Sequence, residues 1–219
     1  MNVNFEYSKT LAGEGAVLLL LSLVPTVGWV LGIVGVVLLA KAMKEFSYYY
    51  QDESIYQNAW TGIKYYIVAI IASAVAIGVG LVSFVTAGLF AGAPVGFTLG
   101  FVGGIVAILA GLGVAFVFYV LAATHLRKMF NTLAKKSGEQ SLETAGTLLW
   151  IGSILTIIGI GLILIFISWI FATIGFFSMK SKQYQQYTPQ PSGSGYTPPP
   201  TQPEQANNTT TNQNNSSQP

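Results

Sequence analysis

Charged residues lie in four short patches along the chain, and the three long stretches between the patches carry no charge. These charge-free stretches are residues 15–40, 65–124 and 144–179, and they contain few polar side chains. A helix rises 1.5 Å per residue, so about 20 apolar residues cross a hydrocarbon core of about 30 Å. The pattern therefore predicts membrane-spanning helices, and the middle stretch is long enough for two of them.

Helix-breaking residues divide these stretches further. Residues 91–96 hold a proline and two glycines, which predict a turn in the middle of the longest stretch. The last stretch is too long for one crossing, and Gly-Ile-Gly at 159–161 is its natural break. Residues 25–28 begin with a proline, which removes a backbone hydrogen bond, so the first apolar run is also expected to bend.

These breaks predict an all-α, polytopic transmembrane helix bundle with four to six membrane segments. Two long central helices are flanked by two bent helical hairpins, whose short arms are either thin spans or re-entrant halves. An alternative with unbroken first and last helices has four spans and places both termini outside. The predicted elements cover roughly residues 11–24, 27–46, 58–90, 97–131, 142–158 and 161–179.

The two ends of the chain resemble each other weakly. Residues 15–47 and 146–178 align without a gap, and Gly28 falls opposite Gly159. Apolar composition alone produces several such matches, so the alignment is weak evidence for a repeat. It does support a bent hairpin of the same kind at both ends.

The arrangement of hairpins separates the charges. The three predicted turns on one face contain no charged residue, and all ten Lys and Arg residues fall on the other face. The positive-inside rule makes that face cytoplasmic. We therefore expect a multi-pass protein of the cell membrane with both termini in the cytoplasm and with its N-terminal segment retained.

Three regions follow from this division. Residues 1–10 form a short N-terminal segment, residues 11–179 the transmembrane helical domain, and residues 180–219 a tail rich in Pro, Gln, Asn and Thr. The tail lacks the apolar surface that would offset the entropy of ordering, so we expect it to be disordered. Its Asn-x-Ser/Thr motifs leave open whether it is glycosylated outside the cell, and its tyrosines suggest a protein partner.

Composition narrows the range of functions. Hydrophobic residues make up 52% of the chain and charged residues 8%, whereas a soluble domain carries about 25% charged residues. The net charge of +2 and the lack of a basic run argue against nucleic-acid binding. The chain has no cysteine, which excludes disulfides and thiolate chemistry, and its single histidine, His125, cannot build a histidine metal site alone.

We predict no catalytic, cofactor-binding or metal-binding residue, and we do not expect an enzyme, because no acid, base and nucleophile occur together in a recognisable pattern. The predicted spans contain no ionisable residue in their interiors. Their hydroxyl groups are expected to bond to the backbone of their own helix. The serine and threonine residues that carry these hydroxyl groups are Ser22, Thr26, Ser73, Ser83, Thr86, Thr98, Ser153, Thr156, Ser168 and Thr173.

Small residues recur at four-residue spacing, which places them on one face of a helix. We expect close packing of helices within one chain, and the alternative is a homo-oligomer through the same faces. The sets are Gly28/Gly32, Ala72/Ala76/Gly80 and Gly96/Gly100/Gly104.

Aromatic and basic residues mark the predicted membrane boundary. The aromatic residues Tyr48, Tyr49, Tyr50, Trp60, Tyr65 and Tyr66 are expected at the interface between lipid and water, as is His125. The basic side chains that follow the fourth predicted element are expected to touch anionic lipid headgroups. They are Arg127, Lys128, Lys135 and Lys136.

The polar loop motifs resemble a known family. Residues 131–138 (Asn-Thr-Leu-Ala-Lys-Lys-Ser-Gly), 142–146 (Leu-Glu-Thr-Ala-Gly) and 46–59, from Phe-Ser-Tyr-Tyr-Tyr to Asn-Ala, are similar to domain-of-unknown-function family 996, which is found mainly in archaea. The resemblance covers about residues 11–179 and implies a multi-pass membrane protein. The resemblance implies that some relatives carry a cysteine-rich ribbon at the C-terminus. Because this chain has no cysteine, a metal-linked role does not carry over to it.

Two functions of different classes are consistent with these observations. The first is a non-enzymatic integral membrane protein with a structural, scaffolding or regulatory role, which binds the lipid bilayer and exposes its tail. The second is a small channel or carrier built on the pseudo-repeated hairpins, because helices that break at membrane depth occur in transporters.

Overall fold

A computed structural model describes residues 4–22, 24, 28–89 and 94–181. For Pro94 it describes the backbone alone. The described residues are helical and include no strand. The predicted turn residues 25–27 and 91–93, with Thr26 among them, lie outside the described residues. So does the tail from Lys182 onward.

Within the described ranges, six α-helices follow one another as three hairpins. The arrangement of hairpin, long helix, long helix and hairpin is confirmed. The unbroken first and last helices of the alternative are wrong, because Gly159 takes a left-handed backbone (φ 82°) near the end of the fifth element, and the first element ends before Gly28. The structure does not test where that alternative places the termini. The helices are α1 (Phe5–Leu21), α2 (Gly28–Tyr50), α3 (Glu53–Leu89), α4 (Pro94–Ser137), α5 (Gln140–Leu155) with a 3-10 turn (Thr156–Ile158), and α6 (Gly161–Ser178).

The helices extend beyond the predicted apolar segments at the charged end of the bundle. α1 begins at Phe5 rather than at residue 11, because the side chain of Asn4 accepts a hydrogen bond from the backbone N–H of Tyr7 (3.3 Å) and caps the helix. Ser8, Leu11 and Ala12 are buried while Glu6 and Glu14 are exposed, so α1 has one buried face, mostly apolar, along its length. A prediction based only on the charge-free run places the start of this helix too late, because the first turns of α1 contain charged residues on their exposed face.

The long helices α3 and α4 pack closely through small residues. A Cβ atom on Gly62 would lie 3.2 Å from the backbone oxygen of Ala122, and one on Gly104 would lie 3.1 Å from that of Gly80. The contact continues to Gly100, near the outer end of the hairpin, which faces Ala87. Packing of these small residues within one chain is therefore confirmed for α3 and α4.

The hydrophobic core lies at one end of the bundle, which we call the base. The base contains the short turns 51–52 and 138–139, and the opposite ends of the three hairpins are the tips. α1 packs on α2 and α6, and α5 packs on α4 and α6. An ion pair between Lys136 and Asp52 (3.2 Å) joins the end of α4 to the turn 51–52. The largest fully buried side chains there are Phe46, Phe130, Phe176, Met43, Ile55, Leu133 and Leu142.

Beyond the terminal hairpins, the outer parts of α3 and α4 (residues 74–89 and 95–108) expose rows of large apolar side chains. Val75, Val82, Val85, Leu99 and Val106 are each more than half exposed. Exposing such a surface to water is unfavourable, whereas contact with the hydrocarbon of a membrane is favourable. In the part of the chain that the structure describes, four segments are long and apolar enough to cross a membrane: Glu53–Leu89, Val95–Ser137, Gln140–Ile158 and Gly161–Ser178.

Candidate functional site

A cavity of about 230 Å³ lies where the three hairpins meet. α3 and α4 contribute Tyr66 and Tyr119, whose ring centroids are 6.2 Å apart. The other walls come from α1, α2, α5 and α6, so every helix contributes to this central cavity. Most of its lining is apolar: Leu19, Val36, Leu39, Ile63, Ala122, Ala123, Leu126, Leu149, Leu162 and Ile165, with Ser22 and Trp169 completing it.

Two lateral grooves, each of about 740 Å³, adjoin the central cavity. The α2–α3 groove runs between α2 and α3 from Trp60 to Ile70. The second, the tip groove, lies between the middle of α3 (residues 66–73), the middle of α4 (residues 109–119) and the turn at Thr156 and Ile157. Tyr66 borders both grooves and the cavity. The bundle therefore has apolar openings toward the same surroundings as the exposed faces of α3 and α4.

The α2–α3 groove forms because the two helices pack closely only near the base. There Tyr50 and Ile55 are part of the core. Toward the tip, Gly28 and Gly32 have no side chain to fill the space between the helices. Trp29 is 70% exposed, so it leaves that space open as well.

The serine and threonine hydroxyl groups near these openings donate hydrogen bonds to the backbone of their own helices. Ser22 donates to the backbone oxygen of Leu19 (2.6 Å), and Thr156 donates to that of Gly152 (2.8 Å). The prediction of such bonds is confirmed for Ser22, Ser73, Ser83, Thr86, Ser153, Thr156 and Thr173.

Ser168 differs from this pattern. It is buried and donates to the backbone oxygen of Ala145 (2.7 Å), so its hydroxyl joins α6 to α5. Sequence spacing gives no signal for this bond, because the two residues are 23 positions apart.

The described charges are concentrated toward the base. Nine of the ten Lys and Arg residues lie within the described ranges, and Lys182 is the tenth. Lys64 has its Nζ 5.6 Å from the centroid of the Trp60 ring, at the basal end of the α2–α3 groove. The side chain of Asp52 accepts hydrogen bonds from Ser54 and pairs with Lys136, and both interactions lower the pKa of its carboxyl.

The four predicted headgroup-binding cations differ in exposure. Arg127 is partly buried, and its guanidinium lies 4.8 Å from the centroid of the Trp150 ring. Its Nε has no hydrogen-bond partner within the described structure. Lys128, Lys135 and Lys136 are exposed. Contact of these cations with anionic headgroups stays a prediction, and the three lysines are the accessible ones.

Some residues predicted at the membrane boundary belong to other surroundings. Tyr50 is only 3% exposed and packs with Phe46 and Tyr49 in the core. Phe5 joins the same cluster from α1, with its ring centroid 4.8 Å from that of Tyr49. Of the three consecutive tyrosines, Tyr48 alone is exposed, because neighbouring positions point to different faces of a helix.

His125 lies beside Asn58 on α3, with Nδ1 3.3 Å from the amide oxygen, and near the ring of Tyr65 (5.5 Å between centroids). These contacts give the imidazole partners on the neighbouring helix. Within the ranges that the structure describes, no three His, Cys, Asp or Glu residues are grouped closely enough to hold a metal ion.

The central cavity and its grooves were not found by sequence reasoning. The sequence feature that comes nearest to indicating them is the Gly28/Gly32 pair. Its four-residue spacing is interpreted as a helix-packing face. A Cβ atom on Gly32 would in fact lie 3.2 Å from the Cβ of Ser22, so this glycine packs on the end of α1 as well as bordering the groove.

Comparison with known proteins gives a family and a relative. The family model described as "Protein of unknown function (DUF996)" matches residues 31–170, which is more than half of the chain. The uncharacterized protein MJ1644 of Methanocaldococcus jannaschii is 26% identical over 179 residues, which cover 82% of this chain and 95% of that protein. No solved structure matches the chain. The matched range extends from α2 into α6 and includes most of the α2–α3 groove.

Proposed function

The chain belongs to the DUF996 family of proteins of unknown function, and we propose that it is a non-enzymatic protein of the cell membrane with a structural, scaffolding or regulatory role. One observation carries this proposal: the outer halves of α3 and α4 expose large apolar side chains while the charged side chains gather toward the base. Such a surface is suited to holding a bundle in lipid. The apolar lining of the central cavity offers no acid–base pair for catalysis.

The base is the cytoplasmic end in this proposal. It contains the described cations and both ends of the described chain, and a concentration of Lys and Arg marks the cytoplasmic side of membrane proteins. The tail that follows α6 would then extend into the cytoplasm, where its tyrosines and prolines are available to a protein partner.

Single-cysteine labelling tests this orientation, since the natural chain has no cysteine. We compare Val95→Cys, at the α3–α4 tip, with Gln51→Cys, at a base turn; both positions are exposed. A membrane-impermeant thiol reagent should label position 95 in intact cells and position 51 only after the membrane is permeabilised. The reverse pattern would contradict cytoplasmic termini.

A channel or carrier is the second candidate, and the cavity between the two terminal hairpins is the observation that favours it. The polar groups in this cavity are a few hydroxyls and an indole, which do not form a hydrophilic path. We expect purified protein in liposomes to give no ion or solute flux above that of protein-free liposomes. Selective flux would instead favour the channel or carrier.

A further inference from the structure

The α2–α3 groove combines an apolar trough with a positive charge at one end. Among its lining residues, Ser22 and Tyr66 carry hydroxyl groups, and the rest are glycine, alanine, tryptophan or aliphatic residues. Lys64 is exposed and lies over Trp60 at the basal end of the groove. It is also the last charged residue before the long charge-free stretch 65–124, so it lies where the apolar part of α3 begins.

The length of this groove fits one leaflet of a bilayer. Trp60 and Ile70, at its two ends, are ten residues apart on one helix, which corresponds to about 15 Å. Half of a hydrocarbon core of about 30 Å is the same distance. The rim of the groove is itself apolar and exposed at Ile33 and Ile67, so a hydrocarbon chain can enter it sideways from the surrounding lipid.

We propose that the α2–α3 groove binds one hydrocarbon chain of a membrane phospholipid from the cytoplasmic leaflet, with the anionic headgroup of that lipid at Lys64. The apolar trough excludes the headgroup and the lysine attracts it, so the two features together fix the direction in which the lipid lies. A lysine over an aromatic ring at the membrane boundary is well placed to reach a phosphate. This inference rests on the proposed membrane location and adds the class of ligand.

The charge at the mouth of the groove can be tested with phosphatidylglycerol as the anionic probe. The full-length protein in detergent is titrated with this lipid in the presence of excess phosphatidylcholine, and bound lipid is counted by native mass spectrometry. We expect one tightly bound phosphatidylglycerol, with an affinity about fivefold lower in Lys64→Gln, since one lysine near a membrane surface contributes about that factor. Lys180→Gln, at an exposed position just after α6, is the matched control and should change the affinity less than twofold.

The trough is tested by filling it. Gly32→Leu places a side chain in the groove, whereas Gly78→Leu places the same side chain where a Cβ atom would meet nothing within 4 Å. We expect Gly32→Leu to lose the bound phosphatidylglycerol and Gly78→Leu to keep it. Thermal melting of both variants shows whether each is folded.

A crosslinking measurement keeps the proposal testable if Gly32→Leu does not fold. Phosphatidylglycerol with a photoactivatable chain should label peptides from residues 28–40 and 60–70 of the unsubstituted protein. Absence of labelling from both ranges, equal loss of affinity in Lys64→Gln and Lys180→Gln, or retained lipid in a folded Gly32→Leu would each overturn the groove assignment. The cysteine labelling of positions 95 and 51 does not depend on lipid binding. It therefore shows separately whether the proposed membrane orientation is wrong.

Discussion

Gly100 and Gly103 lie three residues apart on α4, and their surroundings are opposite. A Cβ atom on Gly100 would lie 2.7 Å from the Cβ of Ala87 and 3.2 Å from the backbone oxygen of Ser83. A Cβ atom on Gly103 would meet nothing within 4 Å. Gly100 is therefore required for the close approach of two helices, whereas Gly103 faces the surroundings of the bundle.

We predict that Gly100→Leu lowers the thermal stability of the detergent-solubilised protein far more than Gly103→Leu does. The added side chain at position 100 must push α3 and α4 apart, at a cost in unfolding free energy of about 1–3 kcal/mol. Leu99→Ala, at a 69% exposed position, is a second control with a small expected effect. Equal melting temperatures for the two leucine variants would contradict the close packing of α3 on α4.

At the scale of the elements, the two terminal hairpins are alike in form and different in their contacts. A Cβ atom on Gly15 would lie 3.1 Å from the backbone oxygen of Gly35, within its own hairpin, whereas one on Gly146 would lie 2.9 Å from Phe130 on α4. The alignment of the chain ends paired these two glycines. The hairpin at each end is confirmed, and this pair of aligned positions has different neighbours.

The terminal hairpins also end well short of the α3–α4 tip. Ile157, in the α5–α6 turn, borders the tip groove together with Leu112, which lies 17 residues or about 25 Å of helix from Val95. This separation approaches the full thickness of a hydrocarbon core. We infer that the α5–α6 hairpin enters the membrane from the base and turns back inside it, although each of its arms is long enough to span.

We therefore predict that Ile160→Cys and Val95→Cys react differently, although both positions are more than half exposed. A membrane-impermeant thiol reagent applied outside should label position 95 and leave position 160 unlabelled, because lipid covers the α5–α6 turn. The labelling is compared in intact cells at equal expression of the two variants. Efficient external labelling of position 160 would indicate that the α5–α6 hairpin spans the membrane.

For the whole molecule, the core and the charges lie toward the base, and the apolar surface extends away from it. The last buried side chains along the described chain are Phe176 and Met179. From residue 183 to the end, the chain contains no aliphatic residue larger than alanine. The tail thus has no large aliphatic side chain with which to extend the core.

We predict that truncation after Lys182 leaves membrane insertion and melting temperature essentially unchanged. Truncation after Gly175 is the control, since it removes Phe176 and Met179 and should lower the melting temperature clearly. A phenotype of the chain truncated after Lys182 would then indicate the loss of a binding partner that contacts Tyr184, Tyr187 or Tyr196. If the chain ending at Lys182 fails to insert or is rapidly degraded, the tail is part of the folded domain.

The amino-acid sequence by itself determined the helical class, the two long central helices and the positions of the breaks, and it left four to six membrane segments open. These properties follow from local physics, because charge-free runs measure the length of apolar helix and the Gly159 break needs a backbone that few other residues adopt. Only the tertiary structure decided which neighbours each residue has. The burial of Tyr50, the bond from Ser168 to Ala145 and the groove beside Lys64 depend on how separate helices approach one another, which spacing along one helix cannot specify.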